Sequence, residues 1–121
     1  RVEAARADLR DLQAPLPEAG APASAGIAMP AALGWLYVSE GSTLGAAFLL
    51  KEAQERLGLS AEFGARNLAA YPDGRARTWR RFVAALDGEQ VAPAQHDAVI
   101  AGAHAAFDRF GALLQAHFAL A

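Results

Sequence analysis

The segment AALGWLYVSEGSTLGAAFLL, residues 31–50, is a long apolar run with a few polar residues at its centre. Its apolar pattern continues to about Leu57, where Gly58 suits a C-terminal cap, and Pro30 suits the first helical position. The run is long enough to cross a membrane, but Glu40 and three hydroxyl side chains at its centre make burial in lipid expensive. The sequence therefore predicts a long buried helix rather than a membrane span.

Apolar spacing along the rest of the 121-residue chain indicates an all-α fold. No stretch alternates polar and β-branched residues as a strand does, and alanine and leucine dominate. The length fits one domain with a real core. Four other helices are predicted. The first is marked by Val2, Ala5, Leu9 and Leu12, and the second is a short helix capped by Ser60. The third is marked by Trp79, Phe82, Val83 and Leu86, and the last begins at Pro93 with an apolar face made of Val99, Ile100, Ala103, Phe107, Phe110 and Leu114.

Composition excludes several classes of function. The chain has no cysteine, so it holds no disulfide, thiolate metal ligand or thiol nucleophile, which fits a reducing, cytoplasmic location. Its formal net charge of −2 gives no electrostatic argument for nucleic acid or an anionic membrane as a partner. No serine–histidine–acid arrangement, phosphate loop or nucleotide fingerprint is present.

Gly41 and Gly45 stand one turn apart near the middle of the long helix. An interior glycine costs about 0.5–1 kcal/mol relative to alanine, so this face is expected to need bare backbone. Two readings remain open: another helix packs closely there, or a flat or bulky ligand lies against the main chain. A bend is expected between the glycines. Ser42 and Thr43 either donate hydrogen bonds to a ligand or an ordered water, or bond back to the preceding turn.

Two residues near the glycines are further candidates for ligand contact. Tyr37 lies one turn before Gly41 and is either a core aromatic or a polar handle at a pocket rim. Lys51 is either solvated or meets a ligand carboxylate at the pocket mouth.

All three histidines of the chain, His96, His104 and His117, fall in the last helix. Their spacing does not match the i, i+4 pair of a helical metal site. His104 borders the apolar face of that helix. It is either solvated or a ligand to iron or another metal.

Four arginines gather at the start of the Trp79 helix. They form either a solvated basic face or a docking surface for an acidic partner. The cluster consists of Arg75, Arg77, Arg80 and Arg81.

The segment ALGWLYVSEGSTLGAAFLLKEAQ, residues 32–54, resembles the distal helix of bacterial heme oxygenases, the biliverdin-forming group used in heme-iron acquisition and bilin synthesis. Its specific part is LYVSEGSTLGAAF, residues 36–48, with an aromatic residue, a glutamate, Gly-Ser and a second glycine at fixed spacing. FGARNLAAYPDGRARTWRRFVAALDG, residues 63–88, resembles the family's following segment. The resemblance runs from about Ala32 to Leu114. It implies a heme oxygenase-like helical bundle with a long, glycine-kinked distal helix.

The resemblance also implies roles for individual residues. Family members hold heme between a proximal helix with the iron-ligating histidine and the kinked distal helix. Gly41 and Gly45 would form a low ceiling over the iron, with Ser42 beside it, as the catalytic part of the site. Tyr37 would lie near the heme edge. Phe107 would pack against the macrocycle, and Lys51 is a weaker candidate for a propionate contact.

The activity implied by the resemblance is oxidative cleavage of heme to biliverdin, carbon monoxide and ferrous iron. Heme is then both substrate and cofactor, dioxygen is consumed, and electrons come from a ferredoxin or flavoprotein reductase. The protein supplies orientation, a dry pocket and protons.

The chain departs from the family at the iron ligand. The family's proximal histidine lies in a segment before the equivalent of Val2–Leu12, and residues 1–95 contain no histidine. We therefore expect residues 1–121 to be the C-terminal part of a single heme oxygenase-like domain, a fragment or truncated relative without the N-terminal helices. The parent protein is then an enzyme, and this chain alone is not competent. The missing helices would expose an apolar surface that allows self-association.

Three readings of function thus stay open. The first is a heme oxygenase. The second is a non-catalytic heme- or bilin-binding helical module without the axial histidine. The third is a structural helical domain in which Gly41 and Gly45 serve only packing.

Overall fold

The computed structural model describes residues 1–18, 25–69, 74–88 and 91–118. Within these ranges the chain is helical, with isolated bridges at Ser60 and no β-strand. This confirms the all-α class. The helices are α1 (Val2–Asp11), α2 (Ala31–Leu57), α3 (Arg66–Ala69), α4 (Arg75–Leu86) and α5 (His96–Phe118), and a short 3₁₀ turn, Pro93–Gln95, leads into α5.

The helices belong to two compact units, and both α2 and α4 run from one unit into the other. The first unit consists of Arg1–Gly20 and Ser42–Thr78, and the second of Ala21–Gly41 and Trp79–Ala121. Neither unit is therefore a continuous stretch of the chain. The expectation that residues 1–121 form part of one domain stays a prediction.

Helix α2 confirms the predicted long helix. It begins one residue after Pro30 and ends at Leu57. Gly58 follows with φ +66°, in the left-handed region that favours glycine after a helix. The helix is unbroken through Gly41 and Gly45, and the bend expected there stays a prediction. Among the described residues, no helix is long and apolar enough to span a bilayer.

In the second unit, α2 and α5 approach each other through two glycines. A β-carbon at Gly34 would collide with the carbonyl oxygen of Val99 and the amide nitrogen of Ala103. A β-carbon at Gly102 would lie 2.9 Å from the carbonyl carbon of Ala31, closer than real side chains approach. Both glycines are buried. The absence of two side chains therefore lets the two backbones touch.

The structure confirms only part of the expected apolar face of α5, in which Val99, Ala103 and Leu114 are half-buried. The buried residues of α5 are the small ones, Gly102 and Ala106. Ile100, Phe107 and Phe110 are 54%, 57% and 58% exposed. The physical reason is the close backbone contact with α2, which leaves no room for large side chains on that face of α5.

The predicted apolar face of α4 is confirmed. Trp79, Phe82, Val83 and Leu86 are half-buried, while the residues between them are exposed. The Trp79 ring lies 5.9 Å from the Phe82 ring, centroid to centroid. The end of α4 at Leu86, next to Asp87 and Gly88, also follows the prediction.

The predicted cap at Ser60 is wrong. The Ser60 hydroxyl accepts a hydrogen bond from the amide of Glu62 at 3.1 Å, inside a tight turn. The Ser60 amide donates to the carbonyl of Phe63 at 2.8 Å. Helix α3 begins only at Arg66 and is four residues long. The rest of the predicted short helix, residues 70–71, lies outside the described residues.

Helix α1 supplies the cap that Ser60 does not. In the first unit, the buried carboxylate of Asp8 accepts the backbone amides of Arg66 at 2.8 Å and Asn67 at 2.9 Å. Asp11 accepts the amide of Gly64 at 2.9 Å. The Arg66 guanidinium pairs with both carboxylates. We call Asp8, Asp11 and Arg66 the α1–α3 clamp. Asp8 thus satisfies two free amides at the start of α3, and Asp11 holds the turn that leads into it.

Candidate functional site

The two central glycines of α2 differ in what lies next to them. A β-carbon at Gly45 would meet no atom within 4 Å outside its own helical neighbourhood, among the described residues. A β-carbon at Gly41 would lie 3.5 and 3.6 Å from two ring carbons of Trp79, which is ordinary van der Waals contact. Positions four apart share a face of a helix. That face of α2 is therefore bare at Gly45 and covered by an indole ring at Gly41.

The different neighbours of Gly41 and Gly45 help to explain why glycine occupies each position. Close helix packing occurs at Gly34 and Gly102, and the part of the chain that the structure describes places no second helix against Gly45. At Gly41 the neighbour is an aromatic side chain that leaves room for a methyl group. Among the described residues nothing packs against Gly45, so the main chain there is open to a ligand or to a further packing partner. The assignment of both glycines as site residues stays a prediction.

Exposed apolar side chains follow Gly45 on α2. Phe48 and Leu49, three and four positions later, are on the adjoining part of the same side of the helix. They are 76% and 58% exposed. Bare backbone next to an aromatic ring and a branched aliphatic chain suits a flat, apolar ligand. Phe48 is the last residue of the distal-helix motif, residues 36–48, and the motif alone indicates no role for it.

Tyr37 shares an aromatic contact with the residue that covers Gly41. The Tyr37 and Trp79 ring centroids lie 5.5 Å apart with planes inclined by 55°, an attractive tilted geometry. Tyr37 is 42% exposed, so the structure brings Tyr37, Gly41 and Trp79 together at the surface of the second unit. The sequence identified Trp79 only as part of an apolar face, because helical spacing does not show which neighbour a residue meets.

The hydroxyl residues beside the glycines have different surroundings. Ser42 is exposed, and its Oγ accepts a hydrogen bond from the Arg1 guanidinium at 3.4 Å. Thr43 is buried, at 3% exposure. Ser42 is thus the hydroxyl that solvent or a ligand can reach.

Residues 1–116 match the family described as heme oxygenase. The chain belongs to the heme oxygenase family. It is 50% identical over 120 residues to heme oxygenase PigA of Pseudomonas aeruginosa, a match that covers 98% of this chain and 60% of that protein.

Similarity to a solved structure indicates the same family. The chain is similar to the NO- and CO-bound heme oxygenase from Neisseria meningitidis, with a TM-score of 0.78 and 43% sequence identity. This match covers 94% of this chain and 56% of that one. The chain therefore spans somewhat over half the length of the heme oxygenases it matches.

Two residues that the heme oxygenase resemblance suggested lie at exposed positions. The Lys51 ammonium is 4.0 Å from a Glu55 carboxylate oxygen, and its side chain is 72% exposed. Such an exposed pair contributes little to stability, so Lys51 is available to another carboxylate. Phe107, on α5, is also accessible to a ligand. Nothing in these positions tests either role, and both stay predictions.

The three histidines do not form a cluster of ligands. His96, His104 and His117 are all exposed on α5. In the described ranges, no group of three or more histidine, cysteine, aspartate or glutamate side chains is placed to hold a metal ion.

Proposed function

We propose that this chain provides the distal wall of a heme oxygenase site, in a protein that cleaves heme to biliverdin, carbon monoxide and ferrous iron. Family membership supports the activity. The observation in the chain itself that carries the proposal is the open backbone at Gly45. A porphyrin is a flat, largely apolar substrate, and bare main chain is the surface that allows the closest approach to it.

The proposed role of the chain is to position the heme. Bound heme supplies the oxygen chemistry itself. Gly45 lets the α2 backbone lie near the heme face, and this low ceiling restricts where a small ligand above the iron can point. Phe48 and Leu49 keep water from the substrate. Ser42, whose side chain is exposed, holds an ordered water that delivers protons to the reacting edge of the heme.

Three residues would orient the macrocycle. Tyr37, fixed by its contact with Trp79, presents its hydroxyl at the heme edge. Phe107 packs against the ring, where an aromatic contact adds about 0.5–1.5 kcal/mol beyond burial. Lys51 meets a propionate. The electrons come from a ferredoxin or flavoprotein reductase, and a cytoplasmic role in iron acquisition fits this chemistry.

The test is a titration with hemin of two proteins, this chain and this chain extended by the N-terminal segment of heme oxygenase PigA, followed by reductant and air. A shifted, saturable Soret band is expected for both proteins, and bilin absorbance that grows as the Soret band decays is expected for the extended protein. A stable hemin complex of the extended protein that forms no bilin would favour the alternative, a heme- or bilin-binding module. A spectrum identical to free hemin for both proteins would contradict both functions.

A further inference from the structure

A cavity of about 220 Å³ lies where the end of α4 meets the start of α5, within the second unit. Its wall is mostly aliphatic, with two polar side chains. The lining residues are Leu86, Asp87, Val91, His96, Val99 and Ile100. We call it the α4–α5 cavity. None of the residues proposed to contact heme lines it, so the proposed function leaves it unused.

The aliphatic side chains offer apolar surface from the base of the cavity to its rim. Val91 is buried, Leu86 and Val99 are half-buried, and Ile100 is 54% exposed. Pockets for drug-sized ligands measure about 300–1,000 Å³, so this cavity suits a smaller molecule. That molecule should have an apolar body, because most of the wall is hydrocarbon.

The two polar side chains of the wall are exposed and have no partner among the described residues. The side chains of Asp87 and His96 form neither an ion pair nor a hydrogen bond with any residue in those ranges. Asp87 directly follows α4, and the last turn of α4 contains no basic residue. An acid at this end of a helix adds to the negative charge of the helix dipole. A local rule broken without a compensating contact points to function rather than stability.

We propose that the α4–α5 cavity binds a small primary ammonium compound with an aliphatic tail. The tail packs against Val91 and Val99. The ammonium head donates a charge-assisted hydrogen bond to the Asp87 carboxylate and lies at the negative end of the α4 dipole. The His96 ring accepts a second hydrogen bond through an unprotonated nitrogen.

Other classes of ligand fit the cavity less well. An anion would be repelled by Asp87 and by the C-terminal end of α4. A metal ion needs more ligands, since no described group of three or more histidine, cysteine, aspartate or glutamate side chains is placed to hold one. A neutral hydrocarbon would fill the wall but leave the Asp87 carboxylate without a partner.

The α4–α5 cavity adjoins the close contact between α2 and α5. Val99 lines the cavity, and its carbonyl oxygen is an atom that a β-carbon at Gly34 would strike. An occupant therefore packs against a residue whose main chain meets α2. Binding to the folded chain alone should raise its melting temperature as the ligand concentration rises.

The test compares hexylammonium, 1-hexanol and hexanoate, which share a tail and differ in the charge of the head. Each is titrated into the isotope-labelled chain without hemin, and binding is read from amide NMR shifts. At about 50 mM salt we expect hexylammonium to bind at least about threefold more tightly than 1-hexanol, and hexanoate to bind most weakly. The amide shifts of Val91, Val99 and Ile100 should saturate together. The preference for ammonium should vanish at about 0.5 M salt, because the rim is exposed to screening.

Two acid variants assign the head group. Asp87→Asn should abolish the preference for hexylammonium over 1-hexanol without changing the affinity for 1-hexanol. Asp108→Asn, the matched control, removes an exposed acid of α5 outside the cavity wall and should change neither affinity. Thermal unfolding checks the fold, and Asp87→Asn should not lower the melting temperature because it removes an unfavourable charge at a helix end.

A third variant tests the tail. Ile100→Ser, at an exposed position of the wall, should weaken the binding of hexylammonium and 1-hexanol by the same factor. As a further probe, 1,6-diaminohexane would have to bury its second ammonium against hydrocarbon. It should therefore bind more weakly than hexylammonium.

Several results would overturn the inference. They are hexanoate binding as tightly as hexylammonium, equal losses in the two acid variants, 1,6-diaminohexane binding as tightly as hexylammonium, or no saturable shift at the cavity. The comparison of probes on the unaltered chain stands even if a variant does not fold. Because every titration omits hemin, failure of this inference is distinguishable from failure of the proposed heme site.

Discussion

At the scale of single residues, the glycines of α2 have different physical purposes. Gly34 allows two backbones to touch, Gly41 faces an indole ring, and Gly45 faces open space. The sequence shows that each is costly compared with alanine. It does not show which one packs, because that depends on the partner across the contact, here Gly102 on α5. The close contact was therefore missed, although both glycines were visible.

Gly34→Ala should destabilise the fold strongly. Its β-carbon would collide with the α5 main chain, and backbone cannot move aside as a flexible side chain can. We expect the free energy of unfolding to fall by about 3 kcal/mol or more, measured by urea denaturation. Gly111→Ala is the matched control, since its β-carbon meets nothing within 4 Å and alanine favours a helix by about 1 kcal/mol. Equal stability of the two variants would contradict the contact.

At the scale of the elements, local signals predicted helix ends, and distant partners decided the caps. Pro30 and Gly58 located both ends of α2 because proline and glycine act through their own backbone preferences. Ser60 failed as a cap because Asp8, 58 residues before Arg66, holds the start of α3. A sequence window cannot contain that contact. Helical spacing along α1 indicates an apolar face and does not show what its acids bind.

Asp8→Ala should loosen the link between α1 and α3. It leaves two backbone amides without an acceptor and Arg66 with one carboxylate fewer. We expect a loss of about 2–4 kcal/mol in unfolding free energy, since hydrogen bonds to a charged group contribute about 1.5–3 kcal/mol each and do not add fully. Glu3→Gln is the control. The Glu3 carboxylate lies 3.5 Å from the Arg6 guanidinium, and the Glu3 side chain is 80% exposed. The free energy of unfolding should therefore fall by less than about 1 kcal/mol in this variant.

Hydrogen exchange provides a second readout for Asp8→Ala. The amides of Arg66 and Asn67 should lose protection before those of α5 in the other unit. Uniform loss of protection throughout the chain would contradict a local clamp.

At the scale of the whole molecule, the buried apolar residues are small and many large ones are exposed. Among the described residues, the buried apolar side chains are Ala46, Ala65, Val91 and Ala106. Large exposed ones occur in both units, including Phe48 at 76% and Phe118 at 69% exposure. Apolar surface of this kind is typical of a site for a ligand or another chain.

Self-association should follow from this exposed surface. Sedimentation velocity over about 5–200 μM is expected to show a concentration-dependent increase in average mass. Because hemin covers part of the surface in our account, a stoichiometric amount should reduce the association. A single monomer at all concentrations would contradict this prediction.

The central claim is that the bare main chain at Gly45 lies against heme. The most direct measurement is the hemin affinity of the unaltered chain, Gly45→Ala and Gly111→Ala, read from the Soret band. Both variants add one methyl group in open space on a helix, so neither should unfold the chain. We predict at least a tenfold loss of affinity, about 1.4 kcal/mol, or a displaced Soret maximum, for Gly45→Ala and none for Gly111→Ala. Identical hemin spectra and affinities for all three proteins would contradict the account.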